Sequence, residues 1–197
     1  MNKPLLSNFI EYDDVIGKNI LDIASGTGII SVEFTRSKAN LTAIDLTPKA
    51  VEMTKKNLHL RSLPGKVYEM DTQNMKFKNN SFNYVCAHRC LMHMPSIDKA
   101  IKEIYRVMSK DAKVYAWIYN KGWYFWFGII FLRELLFLNL FKYKFNITKL
   151  TSRYTDGYKI GGNEYTKFFS KKEMKNKFIK AGFQNVKTFV VYNPIEF

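Results

Sequence analysis

Short apolar runs take turns with segments whose apolar residues recur every three or four positions along residues 19–118. Asn19–Ile23 (NILDI), Leu41–Asp45 (LTAID), Lys66–Met70 (KVYEM), Phe82–Ala87 (FNYVCA) and Ala112–Ile118 (AKVYAWI) are the short runs, which read as buried strands. Helices are predicted between them. One covers Ile29–Ser37, and one runs from Thr47-Pro48, a cap followed by proline at the first helical position, to about Leu60. A third follows Ser96, where Ile97, Ala100, Ile101, Ile104, Tyr105 and Met108 keep the i, i+3, i+4 spacing of one buried face.

Strands separated by helices predict an α/β fold, a Rossmann-like and mostly parallel sheet with helices on both faces. The alternation breaks at Gly122–Thr166, read as an insert or lid. It resumes with a helix capped by Ser170, stopped at Gly182, and a strand over Val186–Tyr192. The expectation is a single domain over residues 1–197, with its C-terminal strands cut short.

Composition changes this picture little. An apolar content of 47% with 16% aromatic residues excludes disorder. The net charge of +14 raises the question of a polyanionic partner. The excess is mostly lysine, scattered and accompanied by abundant Asn, Ile, Phe and Tyr, and densest at Lys171–Lys180. That mixture follows from an AT-rich coding bias, so a nucleic-acid partner is disfavoured. Cys86 and Cys90 lack the further ligands of a zinc site and read as reduced thiols. No metal is expected. The N-terminus has no apolar run of signal-peptide length, which predicts a cytoplasmic protein. Gly122–Phe141 is almost wholly apolar, but Arg133 and Glu134 interrupt it short of a membrane span. Residues 122–145 are therefore read as pocket or core, with peripheral membrane contact as the rival.

Three features fall at strand C-terminal ends, where open α/β sheets take their ligands. Asp22-Ile23-Ala24-Ser25-Gly26-Thr27-Gly28 follows the first strand, with residues small enough for backbone to approach a ligand. Asp45 ends the second strand, where a carboxylate suits the two hydroxyls of a ribose. Asp71 ends the third, beside the place of an adenine. A pyrophosphate fingerprint would need G-x-G-x-x-G, whereas the spacing here is A-x-G-x-G with an acid ahead of it. Asp22 would repel a pyrophosphate and suits a cationic, amine-bearing ligand.

These stretches resemble the class I S-adenosylmethionine (SAM)-dependent methyltransferases. ILDIASGTG is similar to their first motif, and Asp45 in AIDLTPKAV to the ribose-binding acid of the second. MDTQNMKFKNNSFNYVCAHRCLMHM, AIKEIYRVMSKDAKVYAWIYNK and YTKFFSKKEMKNKFIKAGFQNV resemble the small-molecule, type 11 branch. Ala24 stands where the first glycine is usual, and Lys110-Asp111 where Pro-Gly-Gly is. The resemblance implies SAM as cofactor, bound by Asp22, Ala24, Ser25, Gly26, Gly28, Asp45, Leu46, Asp71, Thr72 and His88. It implies methyl transfer to a small-molecule acceptor, a sugar or glycan precursor in the first reading. A lipid-like quinone at a membrane surface and a non-catalytic interaction module are the alternatives.

In-line methyl transfer needs alignment more than acid–base help. His93 and Tyr119 are the candidate catalytic residues. Trp123, Tyr124, Trp126 and Tyr158 are the expected lining of the acceptor pocket. No Asn/Asp-Pro-Pro-Tyr follows the fourth strand and no Pro-Cys pair is present, which disfavours nucleobase, glutamine and pyrimidine-ring acceptors.

Overall fold

The computed structural model describes residues 10, 12–122 and 166–190. Among these residues, five strands and four helices are built from the pattern above: β1 (Asn19–Ile23), α1 (Ile29–Arg36), β2 (Asn40–Asp45), α2 (Pro48–His59), β3 (Lys66–Glu69), β4 (Phe82–His88), α3 (Ile97–Val107), β5 (Met108–Trp117) and α4 (Lys171–Lys180). Single 3-10 turns lie at Tyr12–Val15 and Leu91–His93.

The strands form one sheet in the order β3-β2-β1-β4-β5, and every pairing is parallel. The order reverses beside β1, whose neighbours are β2 and β4, so the ligand crevice of such a sheet opens at the carboxyl ends of these strands. Residues on alternate sides of the strands are buried alike. Ile20, Leu41, Ala43, Val67, Tyr84 and Cys86 join Val32, Phe34, Val51 and Leu58 of α1 and α2 in one core cluster. Leu21, Ile23, Ile44, Val85 and Ala87, of opposite parity, are equally buried. A sheet covered on both faces requires this double burial.

Element ends fall within a residue of expectation except in two places. β5 begins at Met108 rather than Ala112, because its backbone pairs with Phe82 before a register shift carries Tyr84 to Lys113. The polar Ser109-Lys110-Asp111 stretch lies inside the strand as a bulge. Residues 186–190 form no strand, and the rest of the expected sixth strand lies outside the described residues.

The chain divides into two compact units. One holds the described residues up to Leu91 together with Ser96–Trp117, and so the whole sheet; the other holds Met92–Pro95 and the described residues from Ile118 onward. In the second, a parallel bridge joins Asn120 to Phe169, and α4 starts from a capping box in which Ser170 and Glu173 satisfy each other's backbone N–H groups. Among the described residues no helix is long and apolar enough to cross a membrane.

Candidate active site

The turn after β1 is held by α2. Ser25 N–H donates to the Ile44 carbonyl at 3.1 Å, and Gly28 N–H to the Ser25 carbonyl at 2.8 Å. Ser25 Oγ lies 3.0 Å from Thr54 Oγ1, which donates to the Gly26 carbonyl at 3.2 Å; Asn57 Nδ2 donates to the Thr27 carbonyl at 2.9 Å. Gly28 sits at φ +78°, and a Cβ there would lie 2.9 Å from the Thr54 Cα, so glycine is what lets α1 and α2 close on the turn. Ala24 also takes a left-handed conformation, at φ +55°. Thr54 and Asn57 carry no motif, and nothing in the sequence marked them.

The three acids are placed differently from one another. Asp22 alternates onto the α1 side of β1, is only 2% exposed, and accepts from Ser31 Oγ at 2.5 Å. Burial pushes its carboxyl up to about 7, against the Ser31 hydrogen bond and with a further rise from Asp45. Its carboxylate is thus turned to the interior, not displayed at the surface of the turn.

Asp45 is buried but joined to backbone: Oδ2 accepts from Gly26 N–H at 3.0 Å, and Oδ1 from the N–H and hydroxyl of Thr47, each at 2.9 Å. Thr47, expected to cap α2 by its side chain, gives its hydroxyl to this carboxylate instead and makes no cap bond. Two donors fill Oδ1 and one engages Oδ2, so these bonds orient Asp45 and leave one acceptor site, on Oδ2. Leu46, next in line, is 66% exposed. Asp71 Oδ1 accepts from Gln73 N–H at 2.8 Å and Gln73 Nε2 at 3.3 Å, and Gln73 Oε1 takes the Ser96 N–H at 2.9 Å. Thr72 beside it is buried.

His88, at the end of β4, stacks on Tyr115 with centroids 6.2 Å apart and meets Trp117 edge-on at 5.2 Å. Cys86 and Cys90 are buried thiols, and burial pushes both well above the usual range, which keeps them protonated. They pack.

In the second unit the two candidate catalytic residues meet. The rings of His93 and Tyr119 are 5.6 Å apart, edge to face, and Tyr119 stacks on Phe168 at 5.5 Å. His93 Nδ1 lies 3.0 Å from the hydroxyl of Thr166, which is 1% exposed. Lys167 N–H to the Met92 carbonyl (3.0 Å) and Phe169 N–H to the Tyr119 carbonyl (3.1 Å) fix this arrangement. Thr166 was not a sequence candidate. Trp123, Tyr124, Trp126 and Tyr158 lie outside the described residues.

A five-stranded parallel sheet of this order, with a glycine turn after its central strand, is the Rossmann-like α/β fold; Asp45 closes β2, and Asp71 lies two residues past the end of β3 at Glu69. Residues 21–116 match the methyltransferase domain family of type 11. Residues 21–116 are thus a SAM-dependent methyltransferase domain of the class I, small-molecule type, with SAM as methyl donor. The chain is 26% identical over 182 residues to demethylmenaquinone methyltransferase of Lactobacillus johnsonii, covering 86% of this chain and 69% of that one. Against the ubiquinone/menaquinone biosynthesis C-methyltransferase UbiE of Rickettsia bellii, identity is 25% over 94% of this chain and 76% of the relative. A SAM-dependent methyltransferase structure from Methanosarcina mazei shares the fold, with a TM-score of 0.64 at 19% identity over 91% of this chain and 84% of that one.

Proposed function

We propose that the acceptor is a lipid-like hydroquinone methylated on a ring carbon. The observation that carries this is the similarity, over most of the chain, to two methyltransferases named for quinone biosynthesis. The sugar or glycan acceptor draws no support from those relatives. Cytosolic placement, with the apolar acceptor met at a membrane surface, belongs to the same proposal.

The residues fit the donor. Asp45 takes a ribose hydroxyl on the acceptor site that Oδ2 retains, and the exposed Leu46 offers an apolar surface to the adenine. Asp71 accepts from the adenine amino group, with Thr72 and His88 shaping the same pocket. Asp22, buried on Ser31, holds the turn in place and adds negative potential behind Ala24, Ser25, Gly26 and Gly28, where the amine-bearing end of the donor would lie. Bound there, SAM supplies a sulfonium methyl whose departure leaves a neutral thioether.

A hydroquinone carbon becomes nucleophilic when a neighbouring hydroxyl is deprotonated. His93 is the group we assign to that proton. With Nδ1–H donating to Thr166, the lone pair on Nε2 takes the hydroxyl proton, and Thr166 is a positioning residue that fixes the tautomer. Tyr119 packs edge-on against the imidazole and limits its rotation. After the carbon–methyl bond forms, the ring proton is lost to solvent, which restores aromaticity, and the phenolate recovers its proton from the His93 imidazolium.

The test is turnover of a short-chain naphthohydroquinone with labelled SAM, the product read by mass spectrometry. Methyl on the ring carbon is expected. Asp45→Ala should weaken SAM binding by at least about tenfold, through loss of charged hydrogen bonds. Methylation of a sugar panel with no reaction of the hydroquinone would overturn the acceptor assignment and leave the donor assignment standing.

A further inference from the structure

We propose that the outer face of α4 and the segment that follows it dock this protein onto an anionic lipid surface. α4 buries Met174 and Phe178, four residues apart and so on one face. Lys171, Lys172, Lys175 and Lys180 are left exposed. The helix has one carboxylate, Glu173, and that one is engaged: Lys121 Nζ sits 2.5 Å from it, and the Ser170 cap takes its other oxygen. The exposed lysines therefore act without a counter-charge on their own helix.

Apolar side chains stand among them. Ile179 is 50% exposed and Phe189 77%, and an open groove of about 590 Å³ is lined by Lys175, Ile179, Asn185, Val186 and Lys187. Lysine stems lie along apolar surface while their ammonium groups reach outward, the arrangement that suits a headgroup layer above acyl chains. Stable attachment takes two signals, basic charge and inserted apolar area, and this face offers both. A nucleic acid would use the lysines but has no use for an aliphatic Ile179 and would seek several aromatic platforms. Lipid is the better match.

This surface serves the apolar acceptor proposed above, but its test uses neither donor nor acceptor. Co-sedimentation is measured with vesicles of phosphatidylcholine containing about 30% phosphatidylglycerol, and with phosphatidylcholine alone. Binding to the anionic vesicles only is expected, weakening at about 0.5 M salt. Each lysine near such a leaflet contributes roughly fivefold, so K172E/K175E should reduce binding by at least about twentyfold. Ile179→Ser with Phe189→Ser should reduce it while leaving the salt dependence in place. K55E/K56E, the same charge change on exposed positions of α2, should bind as the parent does, and circular dichroism with thermal unfolding verifies that each variant is folded. Equal loss in the α2 and α4 variants, survival of binding in K172E/K175E, or binding to RNA with none to vesicles would each overturn the proposal.

Discussion

The most consequential residue is Asp22, a carboxyl buried against Ser31 in the central strand. Its folded pKa is raised, so the protonated form favours the fold. The associated stability is whole below the ordinary value of 3.8 and is lost as pH rises through about 7. Asp22→Asn should accordingly raise stability at pH 8, on the order of 3 kcal/mol, and flatten the urea-midpoint profile between these limits. The same substitution should weaken SAM binding at pH 8, since it removes the negative potential behind the turn. Ala24 carries a second testable strain: at φ +55° an alanine costs about 1 kcal/mol, offset in part by the greater unfolded freedom of glycine. Ala24→Gly is expected to stabilise by about 0.5 kcal/mol, and Ala24→Val to destabilise by more than 1 kcal/mol. Asp45 and Asp71 were legible because strand ends announce themselves by an apolar run closing in an acid. That Asp22 faces inward follows from the alternation of β1, but the partner awaiting it, Ser31, could not be paired with it until α1 was in place.

Elements are joined by polar clamps that periodicity does not encode. Arg106 on α3 donates to Glu103 from Nε and Nη2, to the Phe77 carbonyl and Asn79 Oδ1 from Nη1, and to the Met75 carbonyl from Nη2. Glu103 in turn accepts from Met75 N–H at 2.9 Å. The fork ties α3 to the loop between β3 and β4, and lysine cannot reproduce it. Arg106→Lys should cost about 1–3 kcal/mol in chemical denaturation. Ser170→Ala removes half of a capping box and should cost about 1 kcal/mol, with faster amide exchange confined to the first turn of α4. Strand and helix existence was readable throughout the sheet, since buried strands must be apolar and α3 keeps one apolar face. The start of β5 was hidden because backbone pairing tolerates the polar Ser109-Lys110-Asp111 bulge. His93 and Tyr119 were candidates singly; their meeting depends on Thr166, 73 positions from His93, and no local pattern carries such a contact.

Over the molecule, the titrations act in opposite directions. Glu103, held low by Arg106, and Glu173, held at about 2 by Lys121, contribute stability above the usual carboxylate range that is lost as pH falls through their lowered values. Asp22 contributes most at the acid end. The stability maximum should therefore lie on the mildly acidic side of neutrality, and in Asp22→Asn it should move toward neutral or alkaline pH, read as thermal midpoint against pH. Gly28 adds a constraint on the history such a chain can have. The atom nearest an added Cβ is the Thr54 Cα, part of the backbone, so trimming the threonine side chain cannot make room for a larger residue at 28. The two positions cannot drift together by compensating exchanges. A descendant that lost this glycine would first have to re-seat an entire helix, and ordinary substitution, one residue at a time, offers no such path.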